Sequence, residues 1–366
     1  MPKESLYIDG AQGEGGGQII RTALALSAIC NQPITVERIR ANRDRPGLCP
    51  QHLKSVTAMG ELCKAELSGA RKGSNTITFS PTQLPSGLHT IDIKTAGSTA
   101  LLLHALYFAM AWHPEGGQLT LIGGTHNDRV PTFDYLSEVW QPMMGLCGYQ
   151  ADLTCHAYGL YPKGGGELEI SIPGNQRGQE LQSFEWTQRP PIDEIRIHSL
   201  WTEPAKKASK RKPNKVPKRM ARSAEQTLEE AGFAAQVVDV EHQPSASIGA
   251  ICHVFVKMGP LRAGFTSFGK RGIPAEQVGR TAAQKAIAFL QSNACLEEHI
   301  ADQVLLPLAL SGKPSTFTTC FGSSKHLKTN AAIIEAFLPH IHIDFSPSPN
   351  PSVQGDEILV KITSTL

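Results

Sequence analysis

The chain has 366 residues, of which 40% are hydrophobic and 19% are charged, and its formal net charge is only +2. This length allows two or three domains with a sizeable core. The near-neutral charge excludes nucleic-acid binding by overall electrostatic attraction, so any contact with a phosphate backbone must come from a local basic patch.

The cysteines and the N-terminus predict a soluble, cytoplasmic protein. No two of the eight cysteines form a CxxC pair, and most lie in apolar runs, which is typical of buried free thiols in a reducing compartment. The first ten residues, "MPKESLYIDG", lack the apolar core of a signal peptide. The longest apolar run, "ALLLHALYFAMAW", is too short to span a bilayer, so no membrane contact is expected.

The predicted elements first follow the order β-α-β-α-β-β. Apolar residues alternate in the strands and recur every three or four positions in the helices. The six elements are, in order, "SLYIDG", "GGGQIIRTALALSAIC", "PITVERIR", "QHLKSVTAMGELCK", "KAELSG" and "TITFSP". The next segment repeats this order, from the strand "HTIDIKTA" to the strand "GELEISI". This repetition indicates a repeated structural unit.

A third copy of the unit is predicted to be split by an insertion. Its first strand is "LQSFEWTQ", and it resumes with the helix "HIADQVLLPLALSG" and ends with the strand "DEILVKIT". The intervening residues contain four predicted strands and two predicted helices, enough for a small domain with its own core. We therefore predict an α/β (α+β) fold, with a core of three repeats at residues 1–186 and 291–366 and an inserted α/β domain at residues 187–290.

The stretch "DGAQGEGGGQIIR" connects a predicted strand to a predicted helix through a glycine-rich turn. Backbone N–H groups at a helix N-terminus, unobstructed by side chains, suit phosphate oxygens. Glu14 lies in this turn, where its carboxylate favours a divalent cation between it and a bound phosphate. Arg21 follows about two helical turns later. A tight turn whose glycines only allow close packing is the alternative.

The stretch "RIRANRDRPGLCPQHLK" concentrates arginines at the end of a predicted strand. The guanidinium groups of Arg40 and Arg43 match phosphate oxygens, and Gln51 and His52 begin the next helix. A solvated basic loop is the alternative. A second basic stretch, residues 206–222, has the composition either of an RNA-backbone contact or of a flexible solvated loop.

Two further stretches contain candidate nucleotide contacts. Pro131 and Tyr135, in "GGTHNDRVPTFDY", could clamp a flat base, although an ordinary helix N-terminus with a buried aromatic residue gives the same pattern. Asp302 and Gln303, in "HIADQ", lie in the first turn of a predicted helix. An aspartate at that position also simply complements the helix dipole.

His326 precedes a predicted helix in "FGSSKHLKTNAAIIEAF" and is flanked by Lys325 and Lys328. The positive end of the helix dipole disfavours the imidazolium form, and the lysines act in the same direction. The ring is therefore expected to be neutral and nucleophilic, with a polar cap of a surface helix as the alternative. KxDG, the lysine motif of covalent nucleotidyl transfer, is absent, so a covalent nucleotide adduct would need another nucleophile.

Six motifs together resemble one family, the RNA 3′-terminal phosphate cyclases. They occur in the family's order over nearly the whole chain: "DGAQGEGGGQIIRTALALS", "RPGLCPQHL", "TAGST", "YPKGGGE", "ADQVLLPLAL" and "HLKTN". The resemblance implies three β-α-β-α-β-β units like the C-terminal domain of translation initiation factor three. It also implies that the domain inserted into the third unit is thioredoxin-like.

The resemblance further implies an enzyme that uses ATP and a divalent metal, Mg²⁺ or Mn²⁺, on an RNA with a 3′-terminal phosphate. A histidine attacks the α-phosphorus of ATP and releases pyrophosphate. AMP then passes to the RNA 3′-phosphate, and the neighbouring 2′-OH expels AMP and leaves a 2′,3′-cyclic phosphate. This is covalent catalysis, which replaces one difficult displacement by easier ones.

The family's motifs imply a role for each matching residue. His326 matches the nucleophile, and Glu14 matches the acidic ligand of metal or phosphate. The residues assigned to the ATP site are Glu14, Arg21, His104, Pro131, Tyr135, His299, Ile300, Ala301, Asp302 and Gln303. Those assigned to the RNA phosphate site are Arg40, Arg43, Gln51 and His52.

Two positions depart from the family's pattern. His299 stands where the family commonly has tyrosine, and His104 stands where it commonly has glutamine. Both histidines can keep a contact with the nucleotide, and base stacking and nucleotide preference are the properties that the changes would affect.

Two other function classes stay open. A non-catalytic, cyclase-like RNA-binding protein of ribosome assembly would look similar but lack the histidine and much of the phosphate pocket, which the presence of His326, Glu14 and Arg21 disfavours. A carboxyvinyl transferase has related repeats but would use phosphoenolpyruvate. The sequence predicts no oligomeric state.

Overall fold

The computed structural model describes residues 3–13, 15–178, 184–205, 215–320, 324–353 and 355–365. Within these residues the chain forms four mixed sheets of four strands each, together with eight helices. The predicted mixed α/β class is therefore confirmed. Glu14, part of the predicted strand "LQSFEWTQ" and most of the basic stretch 206–222 lie outside the described residues.

The first sheet has the strand order β1-β2-β4-β3. Its strands are β1 (Leu6–Asp9), β2 (Ile34–Glu37), β3 (Glu66–Ser68) and β4 (Ile77–Ser80). Helix α1 (Gly17–Cys30) crosses from β1 to its parallel neighbour β2, and α2 (Pro50–Leu62) follows β2. β4 is antiparallel to both β2 and β3. Parallel neighbours need such a crossover connection, and here α1 provides it.

The second sheet has the order β5-β6-β8-β7. Its strands are β5 (Gly87–Asp92), β6 (Gly117–Gly123), β7 (Asp152–Ala157) and β8 (Gly166–Ile172). Helix α3 (Thr99–Trp112) joins β5 to β6, and its N-terminus is capped by the side chain of Ser98, which accepts a hydrogen bond from the Leu101 N–H. A second helix, α4, lies between β6 and β7.

Helix α4 changes geometry along its length. It begins as an α-helical turn (Phe133–Tyr135), continues as a π-helical segment (Leu136–Trp140) and ends as an α-helix (Gln141–Leu146). The hydroxyl of Thr132 caps its first turn by accepting from the Tyr135 N–H at 3.2 Å. π-helical segments are rare and frequently lie at functional sites.

The third sheet has the order β9-β14-β16-β15. Its strands are β9 (Phe184–Trp186), β14 (Ser315–Cys320), β15 (Ile341–Pro347) and β16 (Glu357–Ser364). Helices α7 (Glu298–Ser311) and α8 (Ser324–Phe337) flank β14 in the chain.

These three sheets share one arrangement of their four strands, taken in chain order. The first and second strands are parallel neighbours, and the fourth strand lies antiparallel between the second and the third. Repetition of a single β-α-β-α-β-β unit would produce this arrangement.

The fourth sheet is formed entirely by the segment that separates β9 from β14 in the chain. Its strands are β10 (Glu194–Glu203), β11 (Val237–Pro244), β12 (Gly249–Met258) and β13 (Leu261–Phe268), in the order β11-β10-β12-β13. Helices α5 (Val216–Glu230) and α6 (Ala275–Gln291) pack on each other and on this sheet. The predicted boundaries of an inserted domain and its likeness to thioredoxin stay predictions.

Helices α1 and α3 are the most thoroughly buried elements near the site. α1 packs against both α3 and α8, and its residues Ile19, Leu24 and Leu26 are no more than 1% exposed. α3 is apolar around nearly its whole circumference. Within the described ranges, no helix combines the length and apolarity that crossing a membrane requires.

Candidate active site

A cavity of about 1160 Å³ lies among α1, α3, α4, α7 and α8 on one side and β13 and α6 on the other. Small-molecule sites in proteins usually have volumes of roughly 300–1000 Å³, so this cavity has room for a ligand of nucleotide size. The predicted site residues on its wall are Arg21, His104, Pro131, Tyr135, His299, Asp302, Gln303 and His326. The fold thus gathers in one place residues that come from all three predicted repeats.

His326 lies in the first turn of α8, on the cavity wall, and remains exposed. Desolvation by the surrounding protein is the main cause that lowers the pKa of His326 below its ordinary value of 6.5. The charges of His299, Arg43 and Arg21 lower it further. The carboxylate of Asp302 opposes them. The neutral imidazole, in which one ring nitrogen has a lone pair, is therefore favoured at neutral pH.

Lys325 and Lys328, which the sequence analysis expected to disfavour the charged form of His326, are not among the main influences on its pKa. Lys328 places its ammonium group 6.0 Å from the ring centroid of Phe345 in β15, in a cation–π contact. Lys325 is exposed. The largest electrostatic effects on His326 come instead from residues of the cavity, which sequence spacing did not identify as its neighbours.

A chain of buried hydrogen bonds fixes α8 to α1 and α7. The Thr22 hydroxyl donates to Oδ1 of Asn330 at 2.7 Å. The Asn330 side-chain amide donates to the backbone oxygen of Asp302 at 3.1 Å and to its Oδ1 at 3.0 Å. Asn330 is 2% exposed, so these bonds are protected from water. They position the helix that carries His326 and hold the carboxylate of Asp302 beside it.

Arg21 supplies a partly desolvated positive charge to the same wall. Its guanidinium donates to Oε1 of Gln18 at 2.8 Å. Burial lowers the pKa of Arg21 to about 10, against the raising effect of Asp302. The side chain thus stays charged at neutral pH, and an anion in the cavity would interact with it more strongly than in bulk water.

The glycine-rich turn lies directly against two functional helices. A Cβ atom at Gly13, whose φ is +56°, would lie 2.1 Å from Oγ1 of Thr329 in α8. One at Gly17 would lie 1.9 Å from Nε2 of His52 in α2. The turn therefore needs glycines for close packing, which was the alternative interpretation, and its phosphate-binding role stays a prediction. The role of Glu14 as a metal ligand is likewise untested.

The side of the cavity formed by α4 is tied to the N-terminus of α7. The hydroxyl of Tyr135 donates to Oε1 of Glu297, which also accepts from the Ile300 N–H at 2.9 Å. Oε2 of Glu297 accepts from the His299 N–H at 2.8 Å. Burial and the carboxylate of Glu297 raise the pKa of Tyr135 well above 10. Tyr135 therefore presents its ring to the cavity as a fixed, neutral surface.

Two buried polar atoms next to the cavity lack a hydrogen-bond partner among the described residues. They are Nε2 of His104 and Oε1 of Gln303. The ring of His104 stacks on Trp140 with centroids 5.7 Å apart, and burial followed by the charge of Arg21 lowers the pKa of His104 to about 3. A neutral imidazole and an amide oxygen are thus available to a polar ligand, which unpartnered buried atoms usually indicate.

Ile300 and Ala301 do not line the cavity. Both are 0% exposed and belong to the hydrophobic core behind the first turn of α7. Their assignment as ATP contacts stays a prediction, and the structure shows only that their side chains pack inward.

The residues assigned to the RNA phosphate site lie off the cavity wall. Arg40 donates to the backbone oxygens of Arg45 at 2.8 Å and Gly47 at 3.2 Å. Gln51 makes two hydrogen bonds with the backbone of Ser98. These contacts give Arg40 and Gln51 a structural role in addition to any ligand contact.

His52 and Arg43 connect the basic loop electrostatically to the cavity. Burial, followed by the charges of Arg21 and Arg40, lowers the pKa of His52 to about 3. The charge of Arg43 acts on His326. The positive potential of the cavity therefore extends toward the loop that the sequence assigned to an RNA phosphate.

Several cavity residues were not identified from the sequence. Phe265 and Thr266 come from β13 and Phe289 from α6, a region to which no site residue had been assigned. In the sequence these residues look like ordinary positions of a strand or a helix. Only the tertiary structure shows that they line the cavity. Glu297 caps the N-terminus of α7 with its side chain, but glutamate is not among the residues that favour this position, so no sequence signal marked it.

Comparison with known proteins gives a consistent result. The sequence profile described as RNA 3'-terminal phosphate cyclase matches residues 12–343. The chain is 37% identical over 339 residues to the RNA 3'-terminal phosphate cyclase of Gloeothece citriformis, covering 91% of this chain and 93% of that protein. Proteins of the same name from Nostoc punctiforme (36% over 339 residues; 91% and 94%) and Ralstonia nicotianae (35% over 357 residues; 96% and 97%) are similar. Since these matches span nearly the whole sequence, the chain belongs to the RNA 3'-terminal phosphate cyclase family.

Proposed function

We propose that this protein converts the 3′-terminal phosphate of RNA into a 2′,3′-cyclic phosphate at the expense of ATP, through a covalent histidine–AMP intermediate. The observation that supports the proposal most is the position of His326, with its lowered pKa, on one cavity wall with Arg21 and Asp302. Such a cavity offers a nucleophile and a positive charge to the same ligand.

ATP fits the cavity in size and in the distribution of polar groups. Nε2 of His104 can donate or accept a hydrogen bond, depending on its tautomer, and Oε1 of Gln303 can accept one from a base or a sugar. Tyr135, Pro131 and Phe265 add flat or apolar surface around them. We assign the base to this side of the cavity and the phosphates to the side of Arg21.

In the first step, a ring nitrogen of His326 attacks the α-phosphorus of ATP. A P–N bond forms, the bond from the α-phosphorus to the bridging oxygen breaks, and pyrophosphate leaves. The imidazole becomes positively charged in this step, and the nearby carboxylate of Asp302 stabilises that charge. The ring then loses its remaining N–H proton to solvent, which leaves a neutral ring joined to an anionic phosphoryl group in a phosphoramidate.

Positive charges must offset the charge that develops on the phosphates. Arg21 is the cavity cation that we assign to this role. A divalent cation, Mg²⁺ or Mn²⁺, would add Lewis-acid polarisation of the phosphoryl oxygens, and we propose Glu14 as its ligand. Gly13, the residue before Glu14 in the sequence, packs on Thr329 of the helix that carries His326, which supports this assignment.

The later steps transfer AMP to the RNA. The second ring nitrogen of His326 takes up a proton and an oxygen of the RNA 3′-phosphate attacks the phosphorus held by His326. The P–N bond breaks, His326 leaves as a neutral imidazole, and an RNA-phosphate–adenylate anhydride forms. The 2′-OH then attacks the 3′-phosphorus, loses its proton and expels AMP. We assign Arg40, Arg43, Gln51 and His52 to the region that receives the RNA phosphate, since the potential of the cavity extends toward them.

The proposal is tested with α-labelled ATP and Mg²⁺ or Mn²⁺. We expect a labelled protein adduct that is labile in acid and stable in alkali, and mass spectrometry should place it on His326. The H326A variant should give no adduct, whereas H342A, which changes an exposed histidine in β15, should behave like the unmodified protein. Addition of RNA with a 3′-phosphate, but not with a 3′-OH, should discharge the adduct.

Other outcomes would favour a different function. No adduct in the unmodified protein, or an unchanged adduct in H326A, contradicts the proposed chemistry. Tight RNA binding without ATP turnover would support the non-catalytic RNA-binding alternative, and a reaction with phosphoenolpyruvate would support the carboxyvinyl transferase.

A further inference from the structure

Three histidines converge on one carboxylate next to, but outside, the cavity. We name His126, Asp134, His198 and His253 the buried histidine cluster; none of the four is more than 8% exposed. His126 follows β6 and Asp134 lies in the first turn of α4, whereas His198 and His253 face each other across β10 and β12. The cluster therefore joins the second sheet's unit to the fourth sheet.

The ligand atoms of three of these residues have the separations of a metal site. Nδ1 of His198 lies 3.3 Å from Oδ1 of Asp134, and Nε2 of His253 lies 3.5 Å from Oδ2 of Asp134. One ligand atom from each of the three residues can be chosen so that all lie within 4.8 Å of one another. Zinc bonds of about 2.0–2.1 Å in a tetrahedral site put ligand atoms about 3.3 Å apart, so a small inward movement would complete the site.

Hydrogen bonding alone explains the arrangement poorly. Both separations exceed the usual 2.7–3.2 Å of an N–H···O hydrogen bond. Nε2 of His253 has no hydrogen-bond partner in the described part of the chain, while its Nδ1 is hydrogen-bonded with the Thr266 hydroxyl at 2.9 Å. When Nδ1–H donates to Thr266, the lone pair on Nε2 faces the carboxylate of Asp134. Two such electron-rich groups are stable side by side in a buried position when a cation lies between them.

The remaining member of the cluster has the position of a supporting residue. Nε2 of His126 bonds to Oδ2 of Asp134, and its Nδ1 is hydrogen-bonded with the Thr125 hydroxyl at 2.7 Å. Its ring stacks on Tyr158 with centroids 4.9 Å apart. Hydrogen bonds of this kind orient metal-binding carboxylates and commonly accompany a bound metal.

We propose that Asp134, His198 and His253 bind one divalent transition-metal ion, with zinc as the ion that two imidazoles and one carboxylate favour. A water molecule supplies the fourth ligand. The ion stabilises the contact between α4 and the strands β10 and β12. Because Tyr135 follows Asp134 and Thr266 bonds to His253, the ion also fixes two residues of the cavity wall from behind.

The test uses the untagged, full-length protein after treatment with a chelator. We expect it to take up one equivalent of Zn²⁺ per chain that survives gel filtration, measured by elemental analysis, and to unfold at a higher temperature once loaded. Substitution with Co²⁺ should give the intense visible absorption of a four-coordinate site. These readouts are independent of adenylylation, so failure of the proposed function leaves them unchanged.

Matched variants separate this site from other histidines. D134N and H253A should each lose the retained equivalent and the Co²⁺ absorption, with folding checked by circular dichroism. H156A removes an exposed histidine that also pairs with a carboxylate, Glu169, and H326A removes the cavity histidine; both should retain the metal. Absence of a retained equivalent in the unmodified protein, or full retention in both D134N and H253A, overturns the proposal.

Discussion

The histidines of the cavity and those of the buried cluster differ in the charges that surround them. Burial lowers the pKa of His104 and of His326, and the positive charge of Arg21 lowers both further. Burial also lowers the pKa of His198, but the nearby carboxylate of Asp134 raises it above its ordinary value. His253 lies beside the same carboxylate, but burial outweighs it there and lowers the pKa of His253, so the contrast with the cavity lies at His198.

The difference teaches that the neighbouring carboxylate decides what a buried histidine can do. In the cavity, Asp302 is hydrogen-bonded by Asn330, and burial raises the pKa of its own carboxyl group. It therefore offsets only part of the lowering of the pKa of His326, and the neutral ring is favoured at neutral pH. In the cluster, Asp134 has a pKa held well below its ordinary value by the surrounding histidines, against the effect of burial. It remains an anion at which several nitrogens converge.

The largest effect is expected from replacing His326, the nucleophile that we propose. H326N keeps a polar side chain of similar width but has no basic ring nitrogen. Adenylylation should fall by at least about 10³-fold, to background, as for other essential nucleophiles. The initial rate of label incorporation from α-labelled ATP measures it, with H342N as the control. A residual rate within tenfold of the unmodified protein would contradict the assignment.

Neutralising the central carboxylate of the cluster should chiefly affect stability. D134N leaves three histidines around an amide, and removing one partner of a buried ionic group typically costs about 3–5 kcal/mol. Urea unfolding of the metal-free protein measures the change. E169Q, which disrupts the exposed pair with His156, should change the free energy of unfolding by less than about 1 kcal/mol. Equal effects of the two variants would show that burial of the cluster has no energetic consequence.

Replacing Arg21 tests how much its positive charge in the cavity contributes to the reaction. R21Q keeps a hydrogen-bonding side chain but removes the charge, so the rate of adenylylation should fall roughly 10²–10³-fold, as when one donor to a developing negative charge is lost. The same variant should raise the pKa of His326, because one cause of its lowering is gone. R280Q, at an exposed position of α6, serves as the control. An unchanged rate in R21Q would exclude a role in phosphate binding.

The smallest effect concerns acid stability. The folded-state pKa of His104 is about 3, against an ordinary value of 6.5. Below pH 6.5 the unfolded chain therefore binds a proton that the folded chain does not. As the pH decreases, the free energy of unfolding therefore decreases by up to roughly 1.4 kcal/mol per pH unit. H104Q should weaken this dependence between pH 7 and 5, measured by urea unfolding. Identical slopes for H104Q and the exposed-site control H342Q would be evidence against it.

The sequence predicted the elements and eight residues of the cavity wall, and the elements could be predicted for a physical reason. Apolar periodicity and turn residues are local, so the strands around the fourth sheet and helices such as α7 could be located from short windows. His326 and Arg21 were found because a lysine-flanked histidine and a glycine-rich turn are unusual local patterns. Their meeting on one wall, however, depends on packing between α1 and α8.

The buried cluster could not be predicted in the same way. His198 and His253 alternate with apolar residues in β10 and β12, which is the pattern of any central strand. Their register places them opposite each other, and Asp134 reaches them only through the packing of α4. The cluster thus depends on the pairing of β10 with β12 and on the packing of α4 against them, and no single short stretch of sequence contains all its members.

The π-helical segment of α4 determines which way the end of this helix faces. Tyr135 and Trp140 both line the cavity, although in a regular α-helix residues five apart point about 140° away from each other. The wider turn brings them onto one face, so that Trp140 can stack on His104. A return to regular helix without loss of a residue would rotate Trp140 by about 100° relative to Tyr135 and separate it from His104. The additional residue in this one turn thus determines whether Trp140 faces the cavity together with Tyr135.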